Sequence, residues 1–152
     1  MTDRVANLTE RLGGPVPEGI ALLFTRIALA GIFWRSARTK VEDGSLLTIR
    51  DTTLFQFSDA PFNQVPILNG DLGAYVTTYT EHLLPFLLLF DLATRLGALG
   101  VLAMTLVIQT FVFPDMAVWW QTHIIWVAMA LVLIVRGGGL FSLDRLIGHR
   151  LG

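Results

Sequence analysis

Four long apolar runs dominate this sequence, at about residues 19–35, 72–90, 94–113 and 117–135, and each is broken by only a few polar side chains. A membrane-spanning helix needs about 20 mostly apolar residues. In hydrocarbon every backbone N–H and C=O must be paired within the protein, which leaves helices as the economical way to use such runs. Composition points the same way. The chain of 152 residues is 53% hydrophobic and 15% charged, with mean hydropathy +0.62, whereas soluble domains average about 25% charged residues. The expected fold is therefore all-α: an integral membrane four-helix bundle forming one domain over residues 1–152.

The connections are unequal. DLAT and PDMA are very short and force their neighbours antiparallel. The segment 36–71, in contrast, is long and polar. It is punctuated by Gly44, Pro61, Pro66 and Gly70, yet carries Leu46, Leu47, Ile49, Leu54, Phe55, Phe57, Phe62, Ile67 and Leu68. Pure linkers rarely hold so many apolar residues. It reads as a structured external cap, with one or two short helices lying on the mouth of the bundle. Within it TLFQF also suits a short strand, since periodicity cannot decide over so few residues.

Basic residues near the span ends give a modest topological bias. Arg4, Arg11, Arg95, Arg136, Arg145 and Arg150 fall on one side, and Arg35, Arg38, Lys40 and Arg50 on the other. The bias favours both termini in the cytoplasm and the cap outside. The polar N-terminal segment reads as amphipathic rather than as a signal peptide. The tail, residues 140–150, reads as a short amphipathic helix capped by Ser142 after three glycines.

The ionisable residues inside the runs are the candidate functional groups. An intramembrane charge costs about 3 kcal/mol on insertion scales, so it normally pairs or faces a wet cavity. Arg26 lies roughly 11 Å into the first span, and Glu81 lies near the middle of the antiparallel second span. An Arg26–Glu81 ion pair is the expected arrangement, serving either as a brace or as part of a site. Glu81 and His123 are the candidate catalytic residues. Arg26, His82, Gln109, Gln121 and Trp119 are the candidate lining of a quinone pocket in the outer half of the bundle, because convergent donors beside aromatic rings suit a planar ligand bearing carbonyls. Histidine suits proton transfer to such a ligand. Pro85 deprives the Glu81 carbonyl of its helical donor.

Other chemistries find little support. The chain has no cysteine, which removes disulfides, CxxC chemistry and cysteine-held clusters. Glu81 and His82, adjacent on a helix, diverge by about 100° and do not readily share an ion. No HExxH, P-loop or dinucleotide fingerprint is present. No resident metal, haem or flavin is expected. A net charge of -1 without a basic patch argues against nucleic acid.

In order along the chain stand the Arg of the first run, RSARTKVEDG, GAYVTTYTEHLLP, DLATRLGALGVLAMTLVIQTFVFPD and WWQTHIIWVAMALVLIVRGGGLFSLDRLI. From about Ile20 to Ile147 this series resembles the DoxX family of small bacterial membrane proteins. The resemblance implies a four-helix protein of the bacterial inner membrane linked to membrane redox chemistry, since relatives include a subunit of a thiosulfate:quinone oxidoreductase and others assemble with soluble redox proteins. The family's recurrent polar positions fall here on Arg26, Lys40, Glu81, Arg95, Gln109 and His123, and its turn reads Gly137-Gly138-Gly139. His82 departs from the pattern.

The resulting expectation is a quinone-interacting, redox-associated membrane subunit. Quinone would be its cofactor, and the lipid bilayer and a soluble or periplasmic redox protein its partners. Self-association through Gly97, Gly100 and Ala103 is also open. A non-enzymatic membrane scaffold for a soluble redox or metal-handling protein is the main alternative, and a small-solute transporter is another. A lone four-helix unit without repeat symmetry makes the transporter less attractive.

Overall fold

The computed structural model describes residues 13–142. The N-terminal amphipathic segment and the tail helix expected from Leu143 lie outside the described residues. Among those described, the protein is all-α, with no strand beyond a single Val41–Ile49 antiparallel bridge.

Helix α1 spans Pro15–Thr39. It is longer at both ends than its apolar stretch. Gly14 holds the N-cap position, Pro15 occupies the first turn and Glu18 complements the helix dipole. Backbone chemistry, not apolarity, sets where this helix starts. Helix α2 spans Asp51–Ser58, and a 3-10 turn follows at Phe62–Gln64. TLFQF is therefore helical. Helix α3 spans Gly70–Leu89 and contains Pro85 in its interior. Asp91 and Ala93 then take left-handed backbone angles (φ 53° and 52°), which turn the chain sharply into α4.

Helix α4 runs over Thr94–Val112 and ends in a π-helical turn at Ile108–Val112. Helix α5 runs over Met116–Arg136, with a second π turn at Trp119–His123. Its N-cap is Asp115, whose carboxylate accepts from the Ala117 N–H at 2.8 Å. It ends at Gly137, which has φ 71°. Helices α1, α4 and α5 are long and apolar enough to cross a membrane. Helix α3 has 20 residues but is more polar, with Asp71, Thr77, Thr78, Thr80, Glu81 and His82 along it.

The four long helices pack on one another. Their common core is Leu22, Leu29, Ala30 and Phe33 of α1, Leu84 and Leu88 of α3, Ala98 and Val101 of α4, and Ala130 and Leu133 of α5. Gly97 and Gly100 face inward: a Cβ on Gly97 would press on Leu87 and Leu88, and one on Gly100 would collide with Leu84. These two glycines let α4 approach α3 closely. The outer surface is strongly apolar, with Phe24, Ile27, Leu83, Leu96, Leu99, Ile125, Leu131 and Val135 all exposed. Such a surface would drive association in water but is at ease against lipid tails.

Candidate functional site: a capped cavity beside a buried ion pair

The expected Arg26–Glu81 pair does not form; each residue has another partner. Arg26 is 1% exposed and pairs with Asp91 at 2.9 Å, while its other terminal nitrogen donates to the Phe141 carbonyl at 3.1 Å. Asp91 also accepts from the Thr94 hydroxyl. Glu81 pairs instead with Lys40 at 2.6 Å. The reason lies in the register of α1. This helix extends beyond its apolar stretch at both ends, and Gly19 packs on Leu140 and Phe141 of the chain beyond α5. Packed in this register, Arg26 stands level with Asp91 just past the end of α3, and Lys40, just past the other end of α1, reaches Glu81.

The Lys40 ammonium is fully engaged. It donates to Glu81 Oε2, to the Ser36 hydroxyl at 2.8 Å and to the Ser36 carbonyl at 3.3 Å. An ammonium has three protons, so this set accounts for its donors. Charge compensation and hydrogen bonding together make the burial of both ions tolerable.

This pair lies on the wall of a cavity of about 450 Å³. Ser36 and Phe33 of α1, Thr77, Thr80 and Glu81 of α3, Met104 and Ile108 of α4, and His123 and Trp126 of α5 contribute to its lining. Phe57, Phe62, Val65 and Leu68 of the segment after α1 close it from a further side. That segment is held down by named contacts. Val41 bridges Ile49, Arg50 Nε donates to the Val41 carbonyl at 2.6 Å, the Thr53 hydroxyl donates to the Lys40 carbonyl at 3.1 Å, and Phe57 packs on Phe62 with ring centres 4.8 Å apart. The size and the mixture of an apolar wall with a few polar groups are those of a small-molecule site.

His123 sits on the opposite wall, 3% exposed. Its Nδ1 is 2.6 Å from Gln109 Oε1, and the Gln109 amide nitrogen donates to the Asp115 carbonyl at 3.3 Å. The two π turns carry these residues, Gln109 in one and His123 in the other. π turns are frequent at functional sites because the extra residue re-aims a side chain. The His123 ring also packs on Trp126 with centres 4.9 Å apart.

The residues singled out in the sequence thus fall into three groups. Glu81 and His123 both line the cavity, with Gln109 bonded behind His123. Arg26 belongs to the separate pair with Asp91. His82, Gln121 and Trp119 are not on the cavity wall. His82 points between α1 and α3, where Nδ1 meets the Thr78 carbonyl at 2.8 Å and the ring packs edge-on against Trp34. Gln121 is exposed. No cluster of three or more His, Asp or Glu able to hold a metal occurs among the described residues. Ser36, Trp126, the pairing of Lys40 and the burial of Asp91 escape a reading of the sequence. Asp91 gave one faint signal: an acid with a threonine three residues on, between two apolar runs.

Comparison with known proteins gives the family. The DoxX family model matches residues 21–114. An uncharacterized protein of Haemophilus influenzae is 30% identical over 138 residues, covering 87% of this chain and 86% of that protein. No solved structure matches.

Proposed function

This chain belongs to the DoxX family of membrane proteins, and we propose that it is a quinone-interacting subunit whose ligand occupies the capped cavity between Glu81 and His123. The carrying observation is that one cavity of about 450 Å³ combines an apolar, aromatic wall with both of these groups. That donor set fits a planar ring with oxygens at its edges and an apolar substituent. Bound there, such a ring would supply two-electron, two-proton redox chemistry.

The protein's own residues bind, orient and exchange protons. Lys40 holds the Glu81 carboxyl group in place by an ion pair and a hydrogen bond. Phe33 and Trp126 bound the ring slot, and Phe57 and Phe62 exclude water from above. His123 is the proton-exchanging group, with Gln109 holding its ring. Without cysteine in the chain, electrons would be exchanged with a partner, which fits a subunit better than a complete enzyme. Placement in a bacterial inner membrane, with four spans, both termini cytoplasmic and the cap outside, accords with the charge bias and is part of the same proposal.

The test is mass spectrometry of small molecules extracted from gently purified protein. A quinone should accompany the wild type and be lost from Glu81→Gln and His123→Ala. Quinone-free wild type that also binds none added would remove the proposal.

A second reading, a membrane anchor for a soluble redox protein, draws on the cap surface. Leu47, Phe55 and Ile67 are 70%, 73% and 82% exposed there. Because Phe57, Phe62 and Val65 of the same segment line the cavity, deleting the segment would damage both functions at once. Surface substitutions such as Phe55→Ser with Ile67→Ser separate them: loss of a co-purifying partner with ligand retained favours the anchor.

A further inference from the structure

The ligand of this cavity is expected to have oxygens, but those oxygens can either carry protons or accept them. The hydrogen bonds around His123 decide between the two. The Asp115 carbonyl has no proton to give, so the Gln109 NH₂ must face it, as it does at 3.3 Å. Gln109 Oε1 is thereby turned to His123 Nδ1, 2.6 Å away. An amide oxygen only accepts, so Nδ1 carries the imidazole proton. In the neutral ring Nε2 is then a bare acceptor. No hydrogen bond to Nε2 occurs among the described residues, and unlike His82 Nε2 it is not sealed inside the protein.

The facing wall has the same polarity. Glu81 Oε2 is taken by Lys40, whereas Oε1 has no partner among the described residues and is likewise accessible. Lys40 has no proton left for a ligand, since all three go to Ser36 and Glu81. The carboxylate on one wall and the imidazole on the other are thus acceptors; the Gln56 amide and the Trp126 indole N–H, which also line the cavity, can donate to a second oxygen of the ligand but satisfy neither of these two. The hydroxyls of Ser36, Thr77 and Thr80 can serve either way and do not set the polarity.

We propose that the cavity selects a ring bearing a hydroxyl, a phenol or hydroquinone, over the corresponding quinone or ether, with Gln109 as the positioning residue that makes His123 Nε2 an acceptor. This rests on the reading of the cavity as the ligand site. The bound hydroxyl donates to Nε2, and this nitrogen is where a proton leaving the ligand would arrive. The reduced ligand is then what the site receives, its two electrons leaving to an electron-accepting partner protein as its protons leave, so a reaction that delivers hydroquinone to the membrane must supply it.

The test uses full-length protein in nanodiscs with two non-redox probes, 4-nonylphenol and 4-nonylanisole. The second keeps the ring, the chain and the oxygen acceptor but lacks the donor. Wild type should bind the phenol at least about tenfold more tightly, the effect of one well-placed hydrogen bond in a shielded site. Gln109→Leu should shrink the ratio to roughly twofold, and Gln109→Glu, which still accepts from Nδ1–H, should restore it. Equal binding of the two probes to wild type would overturn the inference while leaving the cavity as a ligand site. Failure of both probes and of quinone itself would remove the ligand site and the inference together. Should Gln109→Leu fail to fold, ¹⁵N spectra of wild-type His123 decide: a proton on Nδ1 supports the assignment, and one on Nε2 overturns it.

Discussion

Among the described residues two buried ion pairs lie along the same helix interface, and they differ in what surrounds them. Arg26–Asp91 is sealed, with side chains 1% and 2% exposed, a further bond to the Phe141 carbonyl and Gly138 pressed against the carboxylate. A Cβ on Gly138 would collide with Asp91, so the chain after α5 closes over this pair and leaves no room for a ligand. Lys40–Glu81 is partly open, at 14% and 3%, and stands on the wall of a cavity. The first joins α1, the α3–α4 turn and the chain after α5, and braces them. The second spends its lysine on holding a carboxylate in place. Burial and charge alone do not tell a brace from a site; free volume and an unused acceptor do.

The contrast is breakable. Removing one partner of a sealed pair leaves an uncompensated charge, at a cost of about 3–5 kcal/mol. Asp91→Ala should therefore show the largest loss of stability in detergent unfolding. The double variant Arg26→Met with Asp91→Leu should regain much of that loss, because apolar replacement of a whole buried pair is often near neutral. Glu81→Gln should cost less, about 1–2 kcal/mol, since Lys40 keeps its Ser36 bonds. The same variant should weaken ligand binding by at least about tenfold, whereas the double variant at Arg26 and Asp91 should leave binding unchanged once refolded. Smallest of all, Gln121→Ala and Trp120→Phe lie on an exposed stretch and should stay within about 0.5 kcal/mol in stability with binding unaltered. A binding loss at Gln121 would move the site away from the cavity.

Helix identity was readable in the sequence because apolar runs of this length admit few other structures. The ends were not. Pro15 and Gly14 start α1 earlier than Gly19, and it continues through Arg35 and Arg38 to Thr39, since caps rather than hydropathy stop a helix. Depth alone could not give the register of α1 on α3, which sets Arg26 level with Asp91 and Lys40 beside Glu81. Asp91 looked like a loop residue in DLAT; only its left-handed turn and the chain after α5 bury it. Glu81, Gln109 and His123 were singled out as intramembrane polar groups, and the structure places them around or against one cavity. His82 shared their chemistry but points elsewhere, because a neighbour on a helix faces about 100° away.

The most direct measurement of the difference between the two pairs is the thermal unfolding midpoint with and without an added short-chain hydroquinone, kept reduced, for wild type and Glu81→Gln. Ligand that binds only the folded state raises the midpoint. A clear rise for wild type and little or none for Glu81→Gln is the expected result. An equal rise in both proteins, or none in wild type, would contradict the assignment of the Lys40–Glu81 pair to a ligand site.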